Sequence, residues 1–255
     1  MSLRAGRSMR FDVRRYRSVT STMDVCRAWA ERGAVEGLVI LADEQTAGRG
    51  RVGRAWYSPP GQSLYLSVLL RPALPPRRIG WLTMLGALAV CEMAAGRGDA
   101  ELSALDARFR LKWPNDVLLD GKKVAGVLVE ASLTGDCLDY AVLGIGLNVN
   151  TRFDDAPEDV RRRATSLCQA LGHVIDRDAV LERLLAALGA RYATLSASLL
   201  TDYARRLDTL GRRVRLQVGD EMVEGDAARL TDDGALVVMT SDGERVVTFG
   251  DVMGE

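Results

Sequence analysis

The sequence contains one histidine in 255 residues. His173 follows Gly172 at an apparent helix end and reads as structural, and its solitude argues against a histidine-based catalytic triad or a His-rich metal site. Cysteine is nearly as scarce. Cys26, Cys91, Cys137 and Cys168 lie far apart without a C-x-x-C pair, so reduced, buried thiols are expected rather than zinc ligands. Net charge is missing too: 34 basic side chains balance 34 acidic ones, which removes the basic excess of a dedicated nucleic-acid binder. No segment approaches 18 uninterrupted apolar residues and no apolar signal core follows Met1, so the expectation is a cytoplasmic protein without a membrane partner. Internal repeats and low-complexity tracts are absent. What remains is a chain with 47% hydrophobic side chains, long enough for one substantial core and a small second domain.

Against this background one stretch is conspicuous, Gly48-Arg49-Gly50-Arg51-Val52-Gly53-Arg54-Ala55-Trp56. Glycine costs about 0.5–1 kcal/mol relative to alanine inside a regular element, and in exchange the backbone reaches positive φ and approaches a ligand closely. Arginine adds a charge that does not titrate and a planar fork of donors matched to phosphate or carboxylate oxygens. The combination reads as a mobile loop closing on an anionic ligand. A basic surface turn and an RGG-like nucleic-acid contact are the alternatives. The run is short and joins two apolar segments, Gly37–Ala42 and Ser63–Leu70, which places it in a folded site.

Residues before Arg17 read as an arm or an edge strand. Ser21-Thr22-Met23-Asp24 fits a capping box, with a helix to Arg32 ended by Gly33. After Pro75-Pro76, apolar residues recur at helical spacing from Ile79 to Ala95 and predict a core helix. Phe109–Trp113 is a predicted strand stopped by Pro114. Val117–Leu119 and Val124–Val129 flank Asp120-Gly121, a hairpin signal. Tyr140–Val149 is a further strand whose Gly144 and Gly146 suggest close approach of a ligand or backbone. Helical spacing returns at Thr165–Leu171 and Ala179–Leu195, and both helices are expected to cover one side of the sheet. From Gly211 onward, short runs at Val214–Val218, Met222–Leu230, Ala235–Thr240 and Arg245–Phe249 alternate with Asp/Gly turns, as in a small barrel.

Four stretches stand together: Ser21-Thr22, Gln45 through Trp56, Lys112-Trp113-Pro114-Asn115-Asp116 with Lys123 beyond the hairpin, and Gly144-Ile145-Gly146-Leu147-Asn148-Val149-Asn150. Each alone has a structural reading as a turn cap, a solvated lysine or a packing glycine. In this order and spacing they resemble the biotin protein ligases, over residues 18–250. The resemblance implies an α/β fold: a mixed sheet flanked by helices, related to class II aminoacyl-tRNA synthetases, in residues 1–208, and an SH3-like β-barrel in residues 209–255. It implies a two-step reaction in which biotin and MgATP give biotinyl-5′-AMP and pyrophosphate, after which a lysine of a biotin carboxyl carrier domain displaces AMP.

Residue by residue, the resemblance makes Lys123, Arg51 and Arg49 catalytic. It assigns biotin contacts to Ser21, Thr22, Gln45, Gly48, Arg49, Arg51 and Lys123, with Gly126, Leu128 and Gly144 as walls. ATP contacts fall to Arg51, Arg54, Trp56, Lys112, Asn115 and Asn148, and Mg²⁺ to Asp116. Trp113 reads either as packing below the pocket or as core. A monomer or homodimer is expected. Longer members of the family begin with a DNA-binding domain, whereas only seventeen residues precede Ser18, so no specific DNA partner is expected. The family usually follows Ser-Thr with Asn, and Met23 here offers no side-chain amide. A lipoate or octanoate ligase is the runner-up, and a noncatalytic nucleic-acid-binding module the alternative of another class.

Overall fold

The computed structural model describes residues 9–95 and 99–252. The beginning of the expected N-terminal arm lies outside the described residues. The rest of it is β1 (Asp12–Val19), an edge strand paired in parallel with β2 (Leu38–Gln45). β2 continues antiparallel to β3 (Leu64–Leu70), and β3 to β7 (Cys137–Leu147). The sheet is completed by β6 (Lys122–Thr134), β5 (Asp116–Leu119) and β4 (Phe109–Lys112), giving the order β1-β2-β3-β7-β6-β5-β4.

Both faces of the central strands are buried, and the alternation along them shows how. Val39 and Leu41 of β2, with Leu64, Leu66, Val68 and Leu70 of β3, join the main core, whereas Leu38, Ile40 and Leu69 point to the opposite face. That second face is covered by α1 (Thr22–Glu31) through Met23, Cys26 and Ala30. The main core is filled by α2 (Gly80–Ala95), which is buried around nearly its whole circumference because strands lie on one side and α6 (Arg177–Ala193) on the other. α6 was expected on the sheet; it packs chiefly on α2. Pro76–Ala95 is long and apolar enough to cross a membrane by length and composition, but two thirds of it is buried inside the fold, as a core helix is.

Three short helices carried no sequence signal: α3 (Ala100–Leu105), α4 (Glu158–Arg163) and α7 (Ser198–Arg206). The expected Thr165–Leu171 helix shrinks to α5 (Leu167–Leu171), closed by Gly172 at φ +85°. His173 is exposed beside it, bonded to Glu101 and the Val174 carbonyl, in keeping with a structural role. Of the cysteines, Cys26 and Cys91 are buried, but Cys137 is exposed at the start of β7 and Cys168 is half-buried. Burial pushes the Cys26 thiol up to about 12, so it is inert at neutral pH.

The C-terminal strands β8 (Arg213–Val218), β9 (Glu221–Leu230), β10 (Leu236–Thr240), β11 (Gly243–Val247) and β12 (Asp251–Val252) form one antiparallel sheet ordered β11-β10-β9-β8-β12. Its apolar face merges with the main core through Val214, Leu216, Leu236 and Val238. Trp113 is 2% exposed and bridges the sheets, its backbone N–H donating to Thr209 Oγ1 at 3.0 Å and its indole to the Gly234 carbonyl at 3.3 Å. That is the core role.

Candidate active site

At the N-terminus of α1, Ser21 Oγ accepts from the Met23 N–H, and the next residue ties the helix to the sheet. The backbone N–H and hydroxyl of Thr22 both donate to Gln45 Oε1, at 2.9 and 3.1 Å, and Thr22 Oγ1 lies 2.8 Å from Ser67 Oγ. Ser21, Thr22 and Ser67 are all buried. Ser67 escaped the sequence reading, although a lone serine inside the apolar run of β3 was a usable signal, since buried hydroxyls need partners. The capping box is half formed. Asp24 does not reach back to the helix start but accepts from Arg49 at 2.7 and 2.9 Å.

The floor is made by glycines on paired strands. Gly126 of β6 faces Gly146 of β7, and Gly144 faces Ser67 on the other side. A Cβ at Gly146 would stand 2.6 Å from the Trp56 indole, one at Gly126 2.8 Å from it, and one at Gly144 2.9 Å from Met23 Sδ. The close approach at Gly144 and Gly146 is made by the side chains of Met23 and Trp56, where a ligand or a neighbouring backbone was expected.

Lys123 reaches the same pocket through the signalled hairpin turn and a bulge that has no local signature. Asp120 and Gly121 have φ of +51° and +78°, the turn that an Asp-Gly hairpin requires. Beyond it the β5–β6 register shifts, Leu118 pairing with Lys123 and Val117 with Ala125. This bulge makes Val124 the extra residue and turns Lys123 onto the face of Gly126, where without it the two would point to opposite faces. Lys123 Nζ lies 2.5 Å from Asp116 Oδ1 and 5.2 Å from the Trp56 ring centroid.

The arginine loop lies over this pocket with its cations engaged. Arg49 spans Asp24 and Glu130, the latter at 3.1 Å, and its hydrogen bond holds the Asp24 carboxyl below the usual range. Arg51 donates to the Gly250 carbonyl at 3.0 Å and lies 3.6 Å from Asp251, which also pairs with Arg54 at 2.9 Å. Burial pulls the Arg51 guanidinium down, and Asp251 opposes that shift. Asp251 was absent from the sequence reading because nothing local links it to a loop some 200 residues earlier.

One pocket is lined by Ser21, Thr22, Gln45, Arg49, Arg51, Arg54, Trp56, Asn115, Asp116, Lys123, Gly126, Leu128 and Gly144, together with Met23, Gly146 and Asp251. Three expected residues stand outside that lining. The Gly48 carbonyl accepts from the Trp56 N–H at 2.9 Å and closes the loop. Lys112 sits opposite Asp116 in the β4–β5 ladder, its ammonium pulled down by burial and partly restored by Asp116. Asn148 is buried, with its amide donating to the Thr165 carbonyl at 3.0 Å, a structural tie. Among the described residues no three His, Cys, Asp or Glu side chains converge on a metal position. The expected Mg²⁺ residue, Asp116, has its carboxylate paired with Lys123, and Asn115 beside it donates to the Val127 carbonyl at 2.9 Å.

The Biotin/lipoate A/B protein ligase family model matches residues 16–148, and the Biotin protein ligase C terminal domain model matches residues 209–253. The Mycobacterium tuberculosis biotin–[acetyl-CoA-carboxylase] ligase is 36% identical over 239 residues, covering 92% of this chain and 85% of that one. The Aquifex aeolicus biotin protein ligase in complex with biotin and ATP superposes with a TM-score of 0.77 at 31% identity, covering 95% of this chain and 97% of that one. The Leishmania major biotin protein ligase in complex with biotinyl-5-AMP superposes with a TM-score of 0.66 at 26% identity, covering 96% and 99%.

Proposed function

The chain belongs to the biotin/lipoate A/B protein ligase family, and from that premise we propose how its residues divide the work of the reaction. The protein is an enzyme that ligates biotin to protein at the expense of ATP. In the first step a biotin carboxylate oxygen attacks the α-phosphorus of ATP and pyrophosphate leaves; in the second an acceptor lysine amine attacks the acyl carbon, AMP leaves, and the amine loses a proton.

Ser21, Thr22 and Gln45 are the polar contacts for the neutral ureido ring, supported by the burial of Ser21 and Thr22 and by the bonds of Thr22 to Gln45 Oε1, and Ser67 holds Thr22 in place. Gly126, Leu128 and Gly144 are the apolar walls. Lys123, Arg51 and Arg54 neutralise the carboxylate and phosphate charges that would otherwise repel, and Trp56 and Asn115 contact the nucleotide. Arg49 stabilises the loop through Asp24 and Glu130 as much as it faces ligand. Lys112, opposite Asp116 in the β4–β5 ladder, acts at the edge of the nucleotide site, whereas Asn148, tied to the Thr165 carbonyl, supports it structurally. Asp116 would hold Mg²⁺, which would supply further charge neutralisation. The acceptor is a biotin carboxyl carrier domain of an acyl-CoA carboxylase. Residues 1–208 form the catalytic domain and residues 209–255 the C-terminal one. We read the protein as a cytoplasmic monomer or homodimer, and the zero net charge speaks against a dedicated nucleic-acid binder.

The observation carrying this division is that the hydrogen-bonded Ser21–Thr22–Gln45 cluster and the Lys123–Asp116 pair line a single glycine-floored pocket. Incubation with MgATP and biotin, lipoate or octanoate, followed by mass spectrometry, should yield biotinyl-AMP. Formation of lipoyl- or octanoyl-AMP with no biotinyl-AMP would overturn the assignment.

A further inference from the structure

Three of the four tryptophans satisfy their indole N–H: Trp29 donates to Tyr16 Oη at 3.3 Å, Trp81 to the Asp232 carbonyl at 3.1 Å and Trp113 to the Gly234 carbonyl at 3.3 Å. Trp56 does not. Its Nε1 is shielded from solvent and is, among the described residues, the one buried side-chain polar atom without a partner. Its ring nevertheless sits tightly. A Cβ at Gly146 would lie 2.6 Å from Cε2 and 2.7 Å from Nε1, and one at Gly126 2.8 Å from Cζ3. The two glycines face each other across the β6–β7 ladder, so the indole occupies a hollow that only side-chain-free backbone can offer.

A tightly seated ring with an unsatisfied N–H is an unusual end state, because buried indoles normally find an acceptor. The contrast with Met23 is instructive. Met23 fills the neighbouring hollow over Gly144 from the first turn of α1 and is anchored by that helix. Trp56 enters from a loop, which is tied down by the Trp56 N–H on the Gly48 carbonyl, the Gly50–Arg54 backbone bond and the arginine ion pairs. None of these ties involves the indole. The ring can therefore leave while the loop's other anchors remain.

We propose that Trp56 is an internal competitor for biotin: in the free protein its indole occupies the Gly126–Gly146 hollow, and biotin enters only as the indole leaves. The inference rests on the reading of this pocket as the biotin site. If the competent, emptied state is a minor fraction of the free protein, association is slowed and apparent affinity lowered by that fraction.

Rates separate this from an ordinary contact. Biotin association and dissociation are to be measured by rapid filtration with tritiated biotin, with nucleotide omitted so that an indole contact with ATP does not enter. In Trp56→Ala the association rate constant should rise by about threefold or more, because no ring has to depart. A smaller rise, or a fall, overturns the proposal whatever happens to dissociation, since a residue that only touches bound ligand changes chiefly the off-rate. Trp56→Leu serves the same comparison if the alanine variant does not fold. Wild-type protein that fails to bind biotin at all would refute the pocket assignment itself, a different and recognisable result.

Discussion

Lys123 is fixed from three directions: by the Asp120-Gly121 turn before it, by the bulge at Val124 that turns it into the pocket, and by the carboxylate of Asp116 at 2.5 Å. On the proposed division of roles, a preorganised cation of this kind acts where negative charge accumulates as the carboxylate approaches the α-phosphate, and losing one such stabiliser costs ~10²–10³ in rate, or roughly 2.7–4 kcal/mol. Lys123→Ala should stay folded, because the side chain is about a third exposed, and should form biotinyl-AMP at least about tenfold more slowly in single-turnover experiments. A folded variant with the wild-type adenylation rate would reduce Lys123 to a solvated lysine beside a turn. The turn itself was legible in the sequence, since Asp-Gly between apolar runs prescribes it. The bulge was not, because a register shift depends on which strand pairs with which.

At the scale of elements, β12 reaches back from the C-terminal sheet and places Asp251 against the arginine loop. Arg51 is largely buried, at 18% side-chain exposure, and Asp251 is its carboxylate partner. Asp251→Asn leaves that guanidinium with only neutral acceptors, the Gly250 carbonyl and Asn115, so stability should fall by on the order of 1–3 kcal/mol. Denaturant unfolding reads this as a lower midpoint at constant slope, and an unchanged midpoint would show that the contact contributes nothing to holding the two sheets together. Features written locally could be read in advance: the strands around the glycine floor, the core helix and the β-rich C-terminal segment. Contacts across long sequence separations could not. Asp24 and Glu130 on Arg49, Asp251 on Arg51 and Arg54, and Ser67 beneath Thr22 all depend on sheet order. The short helices α3, α4 and α7 each span at most nine residues, too few for a periodic pattern to stand out.

For the molecule as a whole, one pocket gathers Arg49, Arg51, Arg54 and Lys123, so the means it offers are charge neutralisation and positioning. Adenylation of a carboxylate demands those. The continuous core linking both sheets keeps Asp251, Lys123 and the Thr22–Gln45 cluster around one cavity. The most direct test of the central claim is exchange of labelled pyrophosphate into ATP by the intact protein. Exchange should require biotin and Mg²⁺ together and be absent when lipoate replaces biotin; exchange supported by lipoate but not by biotin would contradict the account.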